Sequence, residues 1–474
     1  MKKGVLFAAA EGLPFIKSGG LADVIGSLPY YLDKEQFKVG VVLPMYKKII
    51  IENPQIEQIA DFDVHSGLIN KKASLYHTVI NDVDFYFIRE DSYFYREQMY
   101  GYVDDGERFA FYDKAVLEML PHMGFKVDII HSHDWHTGMI PVLCKKEYKT
   151  KAYTNIKHVF TIHNLAFQGN YPKEMLRYFN LDDKYFKNGD IKFDDGISFM
   201  KAAIQFADKV TTVSNSYAGE ILSSEFGEKM EGPLNYRKED LWGIVNGIDT
   251  NMWNPETDGN ILANYSLKNM SGKKACKKDL QRQLGLRVAD DVMLIGVVSR
   301  LTHQKGISLL MDRLSVIMGQ DVQLVILGTG DSYTENFFKK IEYDYPHRAV
   351  YYCGYNEALS HAIYAGIDML LMPSLFEPCG ISQLIAMRYG TLPLVREVGG
   401  LKDTVAPYNE FNKSGTGFTF KNFNSDDMIY ILKYAIEVYY YRQKDWKAMM
   451  KQAMKKDVSW DCSAKLYKQL YNSL

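Results

Sequence analysis

Short, unbroken apolar segments alternate along this chain with longer segments of helical periodicity. In the first half the apolar segments are KGVLFAAA, KVGVVLP, DVDFYFIRE, VDIIHSHDWH, KHVFTIHN, DKVTTVSN and LWGIVNGID. Runs of this kind are typical of strands that are buried on both faces of a parallel sheet. The alternation therefore predicts an α/β unit in this half of the chain.

The pattern is interrupted and then begins again. Residues 250–290 are polar and turn-rich, and they predict a linker followed by an amphipathic helix over SGKKACKKDLQRQLG with its lysines on a solvated face. After them, DVMLIGVVSR, DVQLVILGTG, AVYYCGY, IDMLLMPS, TLPLVRE and GTGFTF predict a second series of strands. The terminal SWDCSAKLYKQLYNSL predicts a last amphipathic helix with Ser459 as its N-cap.

The two series predict two doubly wound Rossmann-like domains. We expect the first to comprise residues 1–248 with a returning helix at 458–474, and the second to comprise residues 249–457. Two such domains that face each other bring the carboxyl ends of both sheets to a central cleft, where open α/β sheets bind ligands.

Composition excludes several classes of protein. The 474 residues carry a net charge of −2, which gives no basic surface for nucleic acid. The start, MKKGVLFAAAEG, is apolar like a signal peptide, but Glu11 interrupts it, and no run approaches the roughly 18 apolar residues of a membrane span. The five cysteines are scattered, without metal spacing or a disulfide framework, so we expect a soluble protein of the reducing cytoplasm.

Three loops that follow predicted strands carry candidate chemistry. In KSGGLADV, glycines allow close approach of the backbone to a ligand and Lys17 adds a charge. In VVSRLTHQKG, Arg300 and Lys305 suit a diphosphate group, although taken alone they are more typical of solvated loop cations. In FEPCG, Glu377 precedes a predicted helix whose first amides suit an anion or a hydroxyl group, and a simple helix cap is the alternative.

The segment HSHDWH allows three interpretations. His131, His133, Asp134 and His136 are all potential metal ligands, but no distant fourth partner is evident. Core or capping histidines are a second possibility, and a cluster that positions substrate is the interpretation we favour. The aromatic segment 91–102, DSYFYREQMYGY, is suited equally to stacking on sugar rings and to ordinary core packing.

Taken in order, KSGGLADV, HSHDWHTG, FTIHNLAFQG, VNGID, SRLTHQKG, FEPCGISQL and GTLPLVREVGGLKDTV resemble the bacterial glycogen synthases and plant starch synthases. These are retaining glucosyltransferases of the GT-B type, which has two Rossmann-like domains. The resemblance implies transfer of glucose from ADP-glucose to the non-reducing end of an α-1,4-glucan such as glycogen. It also implies that fixed cations stabilise the leaving diphosphate and that no metal or other cofactor takes part.

The resemblance also assigns catalytic roles. Arg300 and Lys305 would hold the diphosphate and stabilise its developing charge. Glu377 would bind hydroxyls of the donor glucose, and the main-chain oxygen or ring of His163 would support an oxocarbenium-like centre.

Substrate-binding roles follow in the same way, for the diphosphate and sugar, the acceptor and the nucleobase. The residues that match are Lys17, Gly19, Gly20, Asp134, Asn246, Tyr355, Cys379 and Gly380. Tyr355 would stack on the base, or it would belong to the core. The sequence does not determine the oligomeric state.

One position departs from many related GT-B enzymes, which carry a second glutamate eight residues after the first. Ile385 stands there, which favours the glycogen synthase branch and argues against a paired-carboxylate mechanism. Alternatives are a related enzyme that uses UDP-glucose, a glucan phosphorylase, and a non-catalytic glucan-binding protein. A nicotinamide enzyme is disfavoured because the first strand lacks a GxGxxG turn.

Overall fold

The computed structural model describes residues 2–474, which divide into two compact units. The first unit comprises Met1–Asn246 and Trp460–Leu474, and the second comprises Gly247–Ser459. Each unit has its own hydrophobic core, and the core of the first includes side chains of the last helix. This architecture confirms the predicted α/β class with two doubly wound units.

The first unit is built on a sheet of nine strands and a small sheet of three within the described residues. Its strands are β1 (Lys3–Ala8), β2 (Phe37–Pro44), β3 (Glu57–Ser66), β4 (Ile69–Ile80), β5 (Val83–Arg89), β6 (Ile129–His133), β7 (Lys157–Ile162), β8 (Asn170–Pro172), β9 (Lys192–Phe193), β10 (Gly196–Ser198), β11 (Lys209–Thr212) and β12 (Leu241–Gly243). The large sheet has the order β12-β11-β7-β6-β1-β2-β5-β4-β3, and it is parallel from β12 to β5.

The edge of this sheet differs from the fully parallel arrangement that we predicted. Strands β3 and β4 form an antiparallel hairpin that pairs with β5, and the small sheet β8-β10-β9 is also antiparallel. Burial alternates along the second half of β3, because one of its faces is solvated. An alternating strand lacks the continuous apolar run on which the sequence analysis relied.

Helices surround the large sheet of the first unit. They are α1 (Gly20–Ile25), α2 (Leu28–Tyr31), α3 (Lys47–Glu52), α4 (Asp91–Phe94), α5 (Asp105–Glu118), α6 (Ile140–Glu147), α7 (Lys151–Thr154), α8 (Leu176–Phe179), α9 (Lys184–Lys187), α10 (Phe199–Phe206), α11 (Asn215–Glu220) and α12 (Glu231–Tyr236). No helix within residues 2–474 is long and apolar enough to cross a membrane.

The second unit contains a parallel sheet of six strands, and all six coincide with predicted segments. They are β13 (Met293–Val298), β14 (Val322–Gly328), β15 (Ala349–Cys353), β16 (Met369–Met372), β17 (Leu392–Arg396) and β18 (Phe418–Phe420), in the order β15-β14-β13-β16-β17-β18. The helices are α13 (Ser271–Gln283), α14 (Ile307–Met318), α15 (Ser332–Phe338), α16 (Ile341–Asp344), α17 (Glu357–Gly366), α18 (Ser382–Arg388), α19 (Gly399–Thr404), α20 (Ser425–Tyr441) and α21 (Gln443–Lys455).

The lysines of α13 correct the expectation of a solvated basic face. Lys273 and Lys277 are buried. Lys273 donates hydrogen bonds to the Ala365 carbonyl and the Thr391 hydroxyl, and burial lowers its pKa to about 7. Lys277 forms an ion pair of 2.7 Å with Asp368. The prediction of a solvated face was wrong at these two positions, because distant backbone and carboxylate groups satisfy the ammonium groups.

The last helix, α22 (Trp460–Asn472), begins directly after Ser459. Its buried side chains include Trp460, Tyr467 and Tyr471, and they pack in the core of the first unit. The helix thereby completes a domain whose other residues end at Asn246.

Candidate active site

The KSGG loop connects β1 to α1 and is organised around a buried carboxylate. Glu11 accepts hydrogen bonds from the backbone N–H groups of Ser18 and Gly19, the latter at 3.3 Å. The side chain is enclosed, and desolvation raises the pKa of its carboxyl group. Glu11 was not predicted as a site residue, although an acid that interrupts an apolar run at the end of a strand is a signal for one. The loop is therefore shaped around an anion that the chain itself supplies.

The predicted ligand-binding residues of this loop lie at its surface. Lys17 Nζ is 2.7 Å from Asp23 Oδ1, and the lysine side chain is 37% exposed. Gly19 has extended backbone, and a Cβ atom there would meet nothing closer than Glu11 Oε1 at 3.8 Å. Gly20 is exposed and begins α1. The chain's own packing therefore does not require a glycine at position 19.

The aromatic segment 91–102 divides between the core and this loop. Tyr93 and Phe94 are buried in the core, and Arg96 forms an ion pair with Asp104. Tyr100 hydrogen-bonds through its hydroxyl to Ser18 Oγ. Only part of the segment therefore remains for contact with a sugar.

His163 and Asp134 lie at the carboxyl ends of neighbouring strands, β7 and β6. Asp134 Oδ1 accepts the backbone N–H of His163 at 2.8 Å. The imidazole of His163 is 2.9 Å from that of His133, between Nε2 and Nδ1. Burial lowers the pKa of His163 to about 3, so its ring is neutral at physiological pH.

The backbone of Asp134 is strained. Its φ of 56° and ψ of 178° lie in a region that residues other than glycine rarely occupy. Its amide donates to the Thr161 carbonyl at 3.0 Å, and its carbonyl accepts the amide of Thr137 at 3.1 Å. Burial raises the pKa of its carboxyl group to about 7. Strain of this kind persists where the surroundings over-determine the conformation, and it clusters at functional sites.

The histidines of HSHDWH do not converge on one point. Both ring nitrogens of His131 are used, at 2.7 Å from the Tyr471 hydroxyl and 2.6 Å from Thr161 Oγ1. His136 stacks on Trp135 with ring centroids 4.0 Å apart. Within residues 2–474 no three His, Cys, Asp or Glu side chains are grouped so that they could hold a metal ion.

Asn246, the last residue of the first unit before α22, is buried. Its Oδ1 atom has no hydrogen-bond partner within the described residues. An enclosed amide oxygen without a partner is uncommon in proteins. The binding role predicted for Asn246 would supply the missing donor.

In the second unit, Lys305 and Glu377 form a close ion pair. Lys305 Nζ lies 2.8 Å from both carboxylate oxygens, and Ser374 Oγ donates to Glu377 Oε2 at 2.9 Å. Gly306, with a φ of 69°, allows the loop that carries Lys305 to lie against Pro373, close to Glu377. A Cβ atom at position 306 would lie 1.9 Å from the Pro373 carbonyl oxygen. The two charged groups were predicted to bind different parts of the donor, and their contact with each other was not predicted.

Arg300 differs from Lys305 in its surroundings. It follows β13 and is exposed. Its guanidinium group makes no ion pair or hydrogen bond with any described residue, while its carbonyl accepts the amide of Thr302 at 3.0 Å. The backbone is therefore fixed, and the charged group remains available to an anion.

Two glycines allow the segment 377–380 to lie against α19. A Cβ atom at Gly399 would be 2.0 Å from the Glu377 carbonyl oxygen, and one at Gly400 would be 2.1 Å from that of Cys379. The Gly400 amide donates to the Glu377 carbonyl at 3.1 Å. Gly380 has a φ of 74°, and Cys379 is buried. These contacts fix the backbone on which the Glu377 side chain stands.

Tyr355 and Ile385 occupy opposite environments. Tyr355 is 74% exposed, which removes the alternative that it belongs to the core. Ile385 lies on α18 in the core of the second unit. An apolar side chain fits that place, and a carboxylate there would be buried.

In each unit several candidate residues, among them the unpredicted Glu11, lie at the carboxyl edge of the sheet. Glu11, Asp134 and His163 follow β1, β6 and β7, which are adjacent. Arg300 and Glu377 follow β13 and β16, which are also adjacent. This is the edge where open α/β sheets bind ligands.

Comparisons with known proteins cover both units. The model of the starch synthase catalytic domain matches residues 4–236, and that of the glycosyl transferases group 1 matches residues 281–455. The glycogen synthase of Clostridium kluyveri is 47% identical over 474 residues, which cover 99% of each chain. The glycogen synthase of Streptococcus mutans is 47% identical over 473 residues, again 99% of each chain.

Solved structures give the same fold. The catalytic domain of starch synthase IV from Arabidopsis thaliana, bound to ADP and acarbose, superposes with a TM-score of 0.92 at 32% identity and covers 100% of this chain and 99% of that one. A sucrose-phosphate synthase from Thermosynechococcus elongatus covers 100% of both chains with a TM-score of 0.64 at 15% identity, a likeness of fold alone.

Proposed function

Because this chain belongs to the starch and glycogen synthase family of retaining glycosyltransferases, we propose that it transfers glucose from ADP-glucose to the non-reducing end of an α-1,4-glucan. The observation that carries this proposal is the 47% identity to glycogen synthases over 99% of the chain. The exposed Arg300 and the Lys305–Glu377 pair at the carboxyl edge of the second sheet supply the chemistry that the reaction needs.

The two cations of the second unit serve the leaving group. As the bond between the anomeric carbon and the diphosphate oxygen breaks, negative charge accumulates on the diphosphate. Arg300 offers a planar set of donors with no partner among the described residues. Lys305 has three N–H donors, and two carboxylate contacts leave one for a phosphate oxygen. Fixed charges of this kind stabilise the transition state without the help of a metal ion.

Glu377 binds the donor sugar. Its oxygens already accept hydrogen bonds from Lys305 and Ser374, which fix the orientation of the carboxylate. A carboxylate has about four acceptor sites, so lone pairs remain for sugar hydroxyl groups. The cation beside it thus connects the sugar and the diphosphate parts of one substrate.

His163 acts near the anomeric carbon through its main-chain oxygen or its ring. Its neutral state at physiological pH supports this role, since an imidazolium would repel an oxocarbenium-like centre. Asp134 holds the His163 amide, and both contribute from the first unit.

The donor is a substrate, and we propose that the enzyme needs no metal or other cofactor. ADP-glucose and an α-1,4-glucan are the partners, with ADP held through Arg300, Lys305 and the exposed Tyr355. The five cysteines of the chain are scattered and form no disulfide framework in the sequence, which supports a cytoplasmic location.

The test is incorporation of labelled glucose into glycogen from ADP-glucose, in the presence and absence of EDTA. We expect polymer-bound label in both, and a kcat/KM at least about tenfold higher for ADP-glucose than for UDP-glucose, a difference of about 1.4 kcal/mol. Equal efficiency with UDP-glucose would contradict the donor assignment, and glycogen binding without transfer would favour the non-catalytic alternative. Arg282, an exposed arginine of α13, provides the matched control for Arg300 when each is replaced by alanine.

A further inference from the structure

Two buried imidazoles, His131 and His133, and the half-buried imidazole of His163 form a row at the carboxyl ends of β6 and β7. His131 and His133 have ring centroids 4.1 Å apart, and those of His133 and His163 are 5.2 Å apart. His131 is anchored by hydrogen bonds at both nitrogens, to Tyr471 of α22 and to Thr161 of β7. His133 stands between this anchored ring and the candidate catalytic His163.

The hydrogen bond between His133 Nδ1 and His163 Nε2, 2.9 Å long, joins two neutral rings, so one of them donates. His133 Nε2 is enclosed and has no partner within the described residues. If His163 donated, His133 would carry its proton on this Nε2 atom, and an N–H group would be buried without an acceptor. If His133 donates from Nδ1, the enclosed Nε2 is a bare acceptor. A buried N–H donor without a partner is rarer in proteins than a buried acceptor without one, so donation from His133 is favoured.

We propose that His133 is a positioning residue that donates its Nδ1–H to His163 Nε2 and thereby fixes the tautomer of His163 with the proton on Nδ1. His163 Nδ1 makes no hydrogen bond with any described residue, so its N–H group is left for the substrate. His163 consequently offers the sugar a hydrogen-bond donor at Nδ1, and the nitrogen that would accept a proton is occupied by His133.

Burial lowers the pKa of both His131 and His133 well below the usual value for histidine. Both rings therefore stay neutral through the physiological range, and the direction of the hydrogen bond does not change with pH there.

The tautomers are measured directly on the full chain. Two-bond ¹H–¹⁵N correlation spectra of protein labelled with ¹⁵N-histidine distinguish a protonated Nδ1 from a protonated Nε2, and the spectrum of a His133→Asn variant assigns the signals. We expect protonated Nδ1 on both His133 and His163. A protonated Nε2 on His163 would overturn the proposal. This measurement requires no catalysis, so its outcome is separate from that of the proposed function, on which the role of His163 toward the sugar rests.

Kinetics of two variants test the consequence for the reaction. His133→Asn keeps an N–H donor near the position of Nδ1, whereas His133→Leu removes it without burying a charge. We expect kcat to fall by about 10- to 100-fold in His133→Leu, with KM for the donor changed less than about threefold, and to recover largely in His133→Asn. Equal losses of kcat in the two variants would show that the rate does not depend on the N–H donor of residue 133.

His158 provides the control for the loss of a buried histidine. It lies on β7, is buried, and neither of its ring nitrogens has a side-chain or backbone partner among the described residues. His158→Leu removes a histidine of similar burial without touching His163, and we expect kcat within about twofold of the wild type. If His133→Leu does not fold, the spectrum of the wild-type chain still decides between the tautomers.

Discussion

Arg300 and Lys305 are both loop cations with the same proposed role, but their burial predicts different consequences when they are removed. We expect Arg300→Ala and Lys305→Ala each to lower kcat by two to three orders of magnitude, the usual scale for one preorganised charge-stabilising group. Arg300 is exposed, so its loss leaves the melting temperature unchanged. Lys305→Ala also leaves the buried Glu377 without its cation, which costs about 3–5 kcal/mol of stability.

A double variant separates these effects. In Lys305→Ala/Glu377→Ala neither charge remains, so part of the stability lost in Lys305→Ala should return while kcat stays low. Calorimetry and initial rates measure the two quantities. An unchanged melting temperature in Lys305→Ala would mean that the ion pair contributes nothing.

Asp134 predicts a pH dependence of stability. Its folded-state pKa is raised to about 7 by burial, above about 3.9 in the unfolded chain, so the folded state retains the proton longer. This group's contribution to stability therefore falls as pH rises from about 4 to about 7. Asp134→Asn has a neutral side chain of the same shape and tolerates the positive φ. We expect the melting temperature of the wild type, relative to the variant, to fall between about pH 4 and pH 7.

Asp113 is an internal control for this comparison. Burial raises the pKa of its carboxyl group as well, and because it is present in both proteins its effect cancels in the difference. A constant difference between wild type and Asp134→Asn across this range would contradict the raised pKa.

The sequence indicated some site residues and could not indicate others. Arg300 and Glu377 come two and five residues after strands with unbroken apolar runs, so their place at the sheet edge could be predicted. The contact of Glu377 with Lys305 joins residues 72 positions apart, and no local pattern encodes it. Glu11 was missed because its interruption of the apolar run was used only as an argument against a signal peptide.

At the scale of elements, the contact between α19 and the 377–380 segment requires the absence of a side chain. In Gly400→Ala the new Cβ would lie 2.1 Å from the Cys379 carbonyl oxygen, so backbone must move. We expect a loss of at least about 2 kcal/mol in stability and a lower kcat, since the segment that carries Glu377 is displaced. Denaturant titration and initial rates measure both.

Gly219 of α11 is the control for this substitution. A Cβ there would meet nothing within 4 Å, so Gly219→Ala should raise stability by about 0.5–1 kcal/mol through helix propensity alone. Similar behaviour of the two alanine variants would contradict the steric requirement at Gly400.

Continuous apolar strands could be predicted because burial on both faces leaves an unbroken run in the sequence. All six strands of the second sheet were found this way. The β3–β4 hairpin was missed because one face is solvated and its apolar positions alternate. The lysines of α13 were wrongly predicted to be solvated, because no local pattern shows a distant partner. The charge of Lys277 is compensated by Asp368, which is 91 residues away in the sequence.

For the whole molecule, the separate cores predict two unfolding transitions. ADP at about 100 times its dissociation constant should raise the transition of the second unit by about 2.7 kcal/mol, because Arg300 and Lys305 belong to that unit. Each unit has a buried tryptophan in its core, so replacing one tryptophan at a time identifies which transition belongs to which unit. Trp446→Ala in α21 should lower the transition that ADP raises, and Trp460→Ala in α22 should lower the other, each by about 3–5 kcal/mol.

Differential scanning calorimetry of the wild type and the two tryptophan variants measures these shifts. If ADP raised the transition that Trp460→Ala lowers, the nucleotide would bind to the first unit. A single transition lowered equally by both substitutions would mean that the two cores unfold together.

The return of α22 to the first unit affects how the protein is made. Trp460 follows Asn246 by 214 positions, and at about 5–20 residues per second a ribosome needs roughly 10 to 40 s to add them. Throughout that interval the nascent first unit lacks the Tyr471 hydroxyl that anchors His131. A polypeptide released early would expose the apolar surface that α22 covers, which marks it for chaperones and proteases. Synthesis of α22 is thus a condition for a finished first unit.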